Sequence, residues 1–507
     1  MASIRVTPEQ TLGRINPNIY GHFAEHLGAC IYEGLWVGED SSIPNTNGLR
    51  DDVVAALRSL APPVIRWPGG CFADDYHWRD GIGPREERPR RINIWWGEDI
   101  ETNHFGTHEF IELCRQTGAQ PYVVGNVGSG TPAEMRNWIE YCNFGGDSSL
   151  SRERAANGAA EPFGVHYWGV GNENWGCGGN MEPEGYAAAY RQFATYLGGF
   201  GGPDPFLIAC GPSGNDVDWT RRFFEKMRRH SRSRIDAFAP HYYARSSAAG
   251  QGGLDAWSAE TGSATEYDEA QWYAQLHLGL QMEPLVLQQR AAMDSYDPER
   301  RIGMIVDEWG TWHPPTPGRH PRHLWQQNTM RDAVLAATTL DIFNRHADKV
   351  VMANIAQTIN VLQAMVLTAG DRMLVTPTGH VYAMYRAHQG GQSLHTRFDC
   401  ESRSFNFNGE AQEMPLLAGS ASLKGKELTL SVVNCSAGDA IETEVSLVGA
   451  SAREVGLTVL AGPGIHAHNR FEAPNLVHPQ TLAQDSGGSA WTQTFAPASV
   501  NVLRILL

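Results

Sequence analysis

The sequence predicts an α/β protein built as a (β/α)8 TIM barrel with a C-terminal all-β sandwich of jelly-roll type. Three observations carry that expectation. Short apolar runs bounded by Gly, Pro or Asn recur eight times, and amphipathic stretches of helical length lie between most of them, as βα units around a parallel sheet require. Beyond about residue 380 the texture changes to alternating, β-branched runs separated by turn residues. The 507 residues exceed one ordinary core of roughly 100 to 200 residues, which suits a large barrel and a second domain.

The eight runs are NPNIYGHF (17–24), PVIRWPGG (63–70), PYVVGNVG (121–128), VHYWGVGNEN (165–174), FLIACGP (206–212), DAFAPHYY (236–243), GMIVDEWG (303–310) and VVMANIAQ (350–357). The helical candidates are LRDDVVAALRSL, THEFIELCRQTG, AEMRNWIEYCNF, PEGYAAAYRQFATYL, DWTRRFFEKMRR and MRDAVLAATTLDIFNRHA. SLKGKELTLSVVNCS, AIETEVSLVG, AREVGLTVLAG and SVNVLRILL alternate as sandwich strands do, and the opening SIRVTPEQTLGRI alternates as well. Chain termini often meet, so the expected division is a barrel over 15–380 and a sandwich of 1–14 plus 381–507. Segments near 146–160, 245–265 and 311–324 read as loop-like inserts.

Hydrophobic residues make up 42% and charged residues only 19%, which supports large packed cores and no long disorder. The net charge of −16 argues against nucleic acid or an anionic membrane face as partner. No run reaches the roughly 18 apolar residues of a membrane helix, and the opening residues lack a signal-peptide core, so the expected location is the cytoplasm. Eight scattered cysteines without a C-x-x-C pair suggest reduced, buried thiols rather than disulfides or a structural zinc site.

Polar residues interrupt the runs at strand C-termini, the rim where barrel enzymes build their sites. GNENW places Asn172 and Glu173 at the end of the fourth run with Trp175 beyond, and VDEWG places Asp307 and Glu308 at the end of the seventh beside Trp309. Two rim carboxylates with aromatic neighbours suit glycosidic bond cleavage: one protonates the departing oxygen, the other meets positive charge at the anomeric carbon. One rim Glu alone is more often an ion-pair partner, but the repeated Glu and Trp pattern reverses that weighting. Glu25, Arg66, Cys71, His241, Tyr243, Gln357 and Asn360 fall at other strand ends. Each alone is as well explained structurally, His241 as a core histidine and Cys71 as a small buried residue.

NIYGHFAEHLGACIYEGLW, IRWPGGCFADDYHWRDGIGP, YWGVGNENWGCGGNM, GSATEYDEAQWY, IVDEWGTWH and ANIAQTINVLQ together resemble the bacterial α-L-arabinofuranosidases of glycoside hydrolase family 51 from about residue 18 to 390. The resemblance implies a retaining double displacement with Glu173 as acid/base and Glu308 as nucleophile, acting on terminal arabinofuranosyl units of oligosaccharides. It further implies that Glu25, Arg66, Cys71, Asn172, Tyr243 and Gln357 line the glycone subsite, that Asn172 grips the 2-hydroxyl, and that Tyr243 positions Glu308. His241 would orient that last pair, and Trp96, a better match than Trp95, would flank the site. Also implied are a homo-oligomer, often a hexamer, and no cofactor or metal. The sequence departs from many relatives at Cys71, where Asn is common, and at Gly379, where an aromatic residue is frequent.

Three alternatives remain at this stage. The same machinery could act on a β-D-xyloside, β-D-galactofuranoside or β-glucan. Metal-assisted hydrolysis is weakened because His22, His26 and His241 form no H-x-H or H-E-x-x-H set. A non-catalytic sugar binder would be expected to have lost Glu173 or Glu308, and both are present.

Overall fold

Eight parallel strands close a barrel in chain order: Gly21–Phe23, Val64–Trp67, Gln120–Gly125, Tyr167–Val170, Phe206–Ser213, Ala237–Ala244, Gly303–Thr311 and Val350–Ala356. They are seen in a computed structural model that describes residues 2–228, 233–245, 259–482 and 487–507. Part of the expected insert at 245–265 and the last residue of DWTRRFFEKMRR lie outside the described residues. By their internal contacts the residues form two units, one of Gly21–Tyr242 with Leu287–Glu308, the other of Met1–Tyr20, Tyr243–Val286 and Trp309–Leu507.

In the first unit the register sets Arg66 beside Phe23 on one side and Tyr122 on the other. The strands carry large aromatic residues inward and outward, and these lock the helices onto the barrel. Trp67 stacks on Phe110 at 5.0 Å between ring centres, and Trp138 meets Trp168 edge-on at 5.7 Å. Helices Asp51–Leu60, Thr107–Thr117, Pro132–Asn143, Pro183–Ala194 and Val217–Arg228 follow the apolar periodicity of the sequence. Thr131 caps the third of them by accepting from the Glu134 amide, with Pro132 at the first helical position, worth about 1 kcal/mol.

Three local expectations fail. The supposed insert at 146–160 contains a helix, Ser149–Ala156, which lacks an apolar stripe. It is held by a Ser148 capping box and by buried Arg154, which donates to the carbonyls of Tyr141, Phe144, Ala159 and Ala160. The run NPNIYGHF is only partly strand, because Pro17–Tyr20 forms a 3-10 turn in which Asn16 accepts from the Asn18 amide. Helices Glu269–Leu280 and Met282–Asp294 also exceed the six candidates named from periodicity.

The second unit carries a nine-stranded sheet in which Ala2–Arg14 lies between Gln392–Asp399, antiparallel, and Ile441–Leu447, parallel. Strands from both ends of the sheet feed one apolar cluster that includes Ile4, Val445, Leu457, Phe495 and Leu503, so the sheet wraps over its own core. Helix Met330–Arg345 is buried through Asn344, and Asp341 accepts from Ser420 and Ser431. Gly379 has a local cause: a Cβ there would stand 2.5 Å from the Met365 carbonyl oxygen and 2.8 Å from a Val375 methyl.

Candidate active site

Glu173 sits in a turn that breaks the fourth barrel strand. Gly171 has φ +85° and Glu173 itself φ +42°, a left-handed conformation that costs a non-glycine residue about 1–3 kcal/mol. Surrounding bonds offset that cost. The Glu173 carbonyl accepts from the amides of Gly176 (2.7 Å) and Gly178 (3.1 Å), and the Asn172 amide donates to Asp74 Oδ2 at 2.7 Å. Asp74 Oδ1 also accepts from the amides of Val127 and Gly128, so one buried carboxyl ties the rims of strands two, three and four. Burial pushes the Asp74 carboxyl up to about 7 despite these donors.

Glu308 lies within the seventh strand, Gly303–Thr311, and its side chain is 6% exposed. Arg66, fully buried, places Nη1 at 2.9 Å from Glu308 Oε1 and Nε at 3.1 Å from Asp307 Oδ2, and donates its second Nη to the Asn172 amide oxygen. Tyr122 donates to the same Asp307 oxygen at 2.8 Å. Arg66 is thus a clamp on the carboxylates, its guanidinium committed to protein groups. Asn172 Oδ1 accepts from Arg66, and its buried Nδ2 has no hydrogen-bond partner among the described residues.

His241 stands between the two glutamates, with Nδ1 3.0 Å from Glu173 Oε1 and 3.6 Å from Glu308 Oε1. An oxygen of Glu173 and an oxygen of Glu308 lie within 4.8 Å of each other. Burial raises the Glu173 pKa above the ordinary carboxylate range, the His241 hydrogen bond lowers it, and the charge of Glu308 raises it, the net shift being upward. Burial alone would lower His241, but the carboxylates of Glu308 and Glu173 outweigh it and hold the imidazole pKa above its usual value.

Glu25, 2% exposed, follows the first strand and accepts from the Phe72 amide (3.1 Å) and Trp96 Nε1 (2.9 Å). Burial and then the charge of Glu308 push it up to about 8. A Cβ on Gly70 would stand 3.0 Å from both Glu25 oxygens, which is why the turn PGG comes so close. Trp96 is placed by Asn93, which accepts from the Trp96 amide and donates to the His26 carbonyl. Tyr243, half-buried with its ring edge-on to Trp312, and Gln357, buried after the eighth strand, belong to the second unit.

Two readings of the sequence need correction. Cys71 and Cys177 form a disulfide across 106 residues, so the thiols are not all reduced. Spacing without C-x-x-C could not show this, because the pair meets only when the rims of strands two and four converge. Trp309, one of the aromatic neighbours counted toward sugar binding, is 1% exposed and packs edge-on against Phe343. Sequence patterning does not single out Asp74, Tyr122 or Cys177; the consecutive acids in CFADDYHW hint at Asp74, and burial with three amide donors separates it from Asp75. Among the described residues two groups could hold a metal ion, Cys71 with Glu173 and Cys177, and Glu173 with His241 and Glu308.

A barrel whose rim joins two carboxylates under an arginine clamp, with a buried amide beside them, is a glycoside hydrolase architecture. Residues 56–270 match the alpha-L-arabinofuranosidase 1 domain family and residues 307–499 the alpha-L-arabinofuranosidase C-terminal domain family. An intracellular exo-alpha-L-arabinofuranosidase of Bacteroides ovatus is 43% identical over 94% of this chain and 90% of its own length. The crystal structure of a GH51 arabinofuranosidase from Xanthomonas axonopodis pv. citri covers all of both chains at 40% identity with TM-score 0.92. An alpha-L-arabinofuranosidase from Thermotoga maritima, solved as an arabinose complex, gives TM-score 0.83 at 29% identity over all of both chains. The chain belongs to the bacterial arabinofuranosidases of glycoside hydrolase family 51 and is a glycoside hydrolase of that kind.

Proposed function

We propose that this arabinofuranosidase is exo-acting and retaining, releasing terminal arabinofuranosyl units from arabino-oligosaccharides or arabinoxylan fragments. The observation that carries the reading is the closeness of Glu173 and Glu308, whose nearest oxygens lie within 4.8 Å. Retaining enzymes hold their carboxyl groups about 5 to 5.5 Å apart, whereas inverting ones leave about 6.5 to 9.5 Å for a water. The roles follow from the neighbours. Arg66 supplies positive charge to Glu308, which attacks the anomeric carbon and forms an ester. Glu173, with its raised pKa, carries the proton that goes to the leaving oxygen.

Once Glu308 is esterified its charge is gone, so Glu173 ionises more easily and takes a proton from the water that cleaves the ester. Asn172 Nδ2 supplies the donor for the 2-hydroxyl, and Glu25, Cys71 and Trp96 line the glycone pocket. The relative named intracellular supports a cytoplasmic location. Assembly as a homo-oligomer and a catalytic barrel spanning 15–380 belong to the same proposal. The test is hydrolysis of p-nitrophenyl α-L-arabinofuranoside beside the xyloside, galactofuranoside and glucoside, with proton NMR of the first product. The expected first product is the α-anomer, from the arabinofuranoside alone. A first product of inverted configuration overturns the double displacement, and turnover of another glycoside in its place overturns the glycone.

A further inference from the structure

We propose that the Cys71–Cys177 pair, once reduced, forms with Glu173 a site for a thiophilic divalent cation of the zinc class, which blocks the enzyme. The inference rests on the reading of Glu173 as acid/base. Both sulfurs face one carboxylate oxygen: Cys71 Sγ is 3.9 Å and Cys177 Sγ 3.6 Å from Glu173 Oε2. A tetrahedral zinc ion bound at about 2.3 Å to sulfur and about 2.1 Å to oxygen sets those ligand atoms about 3.6 Å apart. The sulfur-to-carboxylate separations are close to that value, and the sulfur-to-sulfur separation is the one that must open.

The disulfide occupies that site with its own bond. Two electrons from a dithiol reductant, itself closed to a disulfide, and two protons convert the pair to thiols, and the sulfurs part to non-bonded distance. The cation then displaces the two thiol protons. Glu173 is prepared as the third ligand, because Oε1 is held by His241 and Oε2 is left toward the sulfurs. Exposure distinguishes this pair as well. Cys71 and Cys177 are half-buried, as is Cys400 on its own, whereas Cys30, Cys114, Cys142, Cys210 and Cys435 are buried, so the pair is the accessible place where two sulfurs stand together beside a carboxylate. A cation on Glu173 Oε2 takes the lone pair that must carry the proton, which stops protonation of the leaving group.

The experiment compares the oxidised chain with the chain reduced by a water-soluble phosphine, which leaves as its oxide, each titrated with cobalt(II) as spectroscopic stand-in and then with zinc. The reduced chain is expected to bind one cobalt with sulfur-to-metal charge-transfer absorption and to lose at least tenfold in rate on a substrate with a poor leaving group. A chelator or reoxidation should restore that rate. The oxidised chain is expected to show neither change, a comparison that needs no variant. Reduced Cys177→Ser should lose the absorption. Absence of the charge-transfer band from the reduced chain, or its persistence in Cys177→Ser, overturns the proposal. A band with unchanged rate leaves the metal site standing but overturns the block, and with it the acid/base role of Glu173 on which the block rests.

Discussion

Replacing Glu173 by Ala separates the two halves of the proposed reaction. A general acid contributes roughly 10²–10⁴-fold, about 3–5 kcal/mol of barrier, but only where the leaving oxygen needs a proton. Oligosaccharides and methyl glycosides should therefore lose the full factor. For a dinitrophenyl leaving group the first step should keep its rate while hydrolysis of the ester on Glu308 slows, so kcat and KM fall together and kcat/KM stays near the wild-type value. Azide should rescue kcat, because removal of a side chain 17% exposed opens the face beside the ester. The pH profile gives a second readout. Burial raises the Glu173 pKa, so the acid form survives to higher pH than usual and activity declines as pH rises through that pKa; in the Ala variant this alkaline limb should vanish. Stability should change by no more than about 1 kcal/mol, since the turn is held by backbone bonds. Steady-state kinetics on a leaving-group series decides the matter, and an equal loss on good and poor leaving groups would refute the acid role.

Other expectations follow from the same geometry. His241→Gln removes a hydrogen bond and a charge that both lower the Glu173 pKa, so its alkaline limb should move to higher pH, read from kcat/KM against pH. Trp96→Phe deletes the indole donor to Glu25 and should cost about 1–3 kcal/mol of substrate binding, seen as a KM increase larger than any fall in kcat. Arg66→Met takes the guanidinium away from buried Asp307 and Glu308 and should cost about 3–5 kcal/mol in urea unfolding. Glu25 is raised from 4.5 to about 8 in the folded chain, so its favourable contribution is complete below about 4.5 and is lost as pH rises through 8. Stability should fall over that window by up to about 1.4 kcal/mol per pH unit, and the slope should flatten in Glu25→Gln.

The amino-acid sequence alone determined which segments become barrel strands, because an apolar run ended by Gly, Pro or Asn is a local property. It also determined that polar residues cluster at strand C-termini, which singled out Glu173 and Glu308. The helix Ser149–Ala156 escaped it because Arg154 binding four carbonyls, and not an apolar stripe, keeps that helix in place. Tertiary structure alone decided what each rim residue touches. Arg66, Asp307 and Tyr122 are remote in sequence, and only barrel closure stacks them under Glu308 as a charge clamp. Asp74 ties three rims because its carboxyl is buried among amides from separate loops, a role no spacing rule marks. The Cys71–Cys177 bond has the same origin: pairing across 106 residues depends on where two loops meet, and convergence of distant loops is not a local property of the chain.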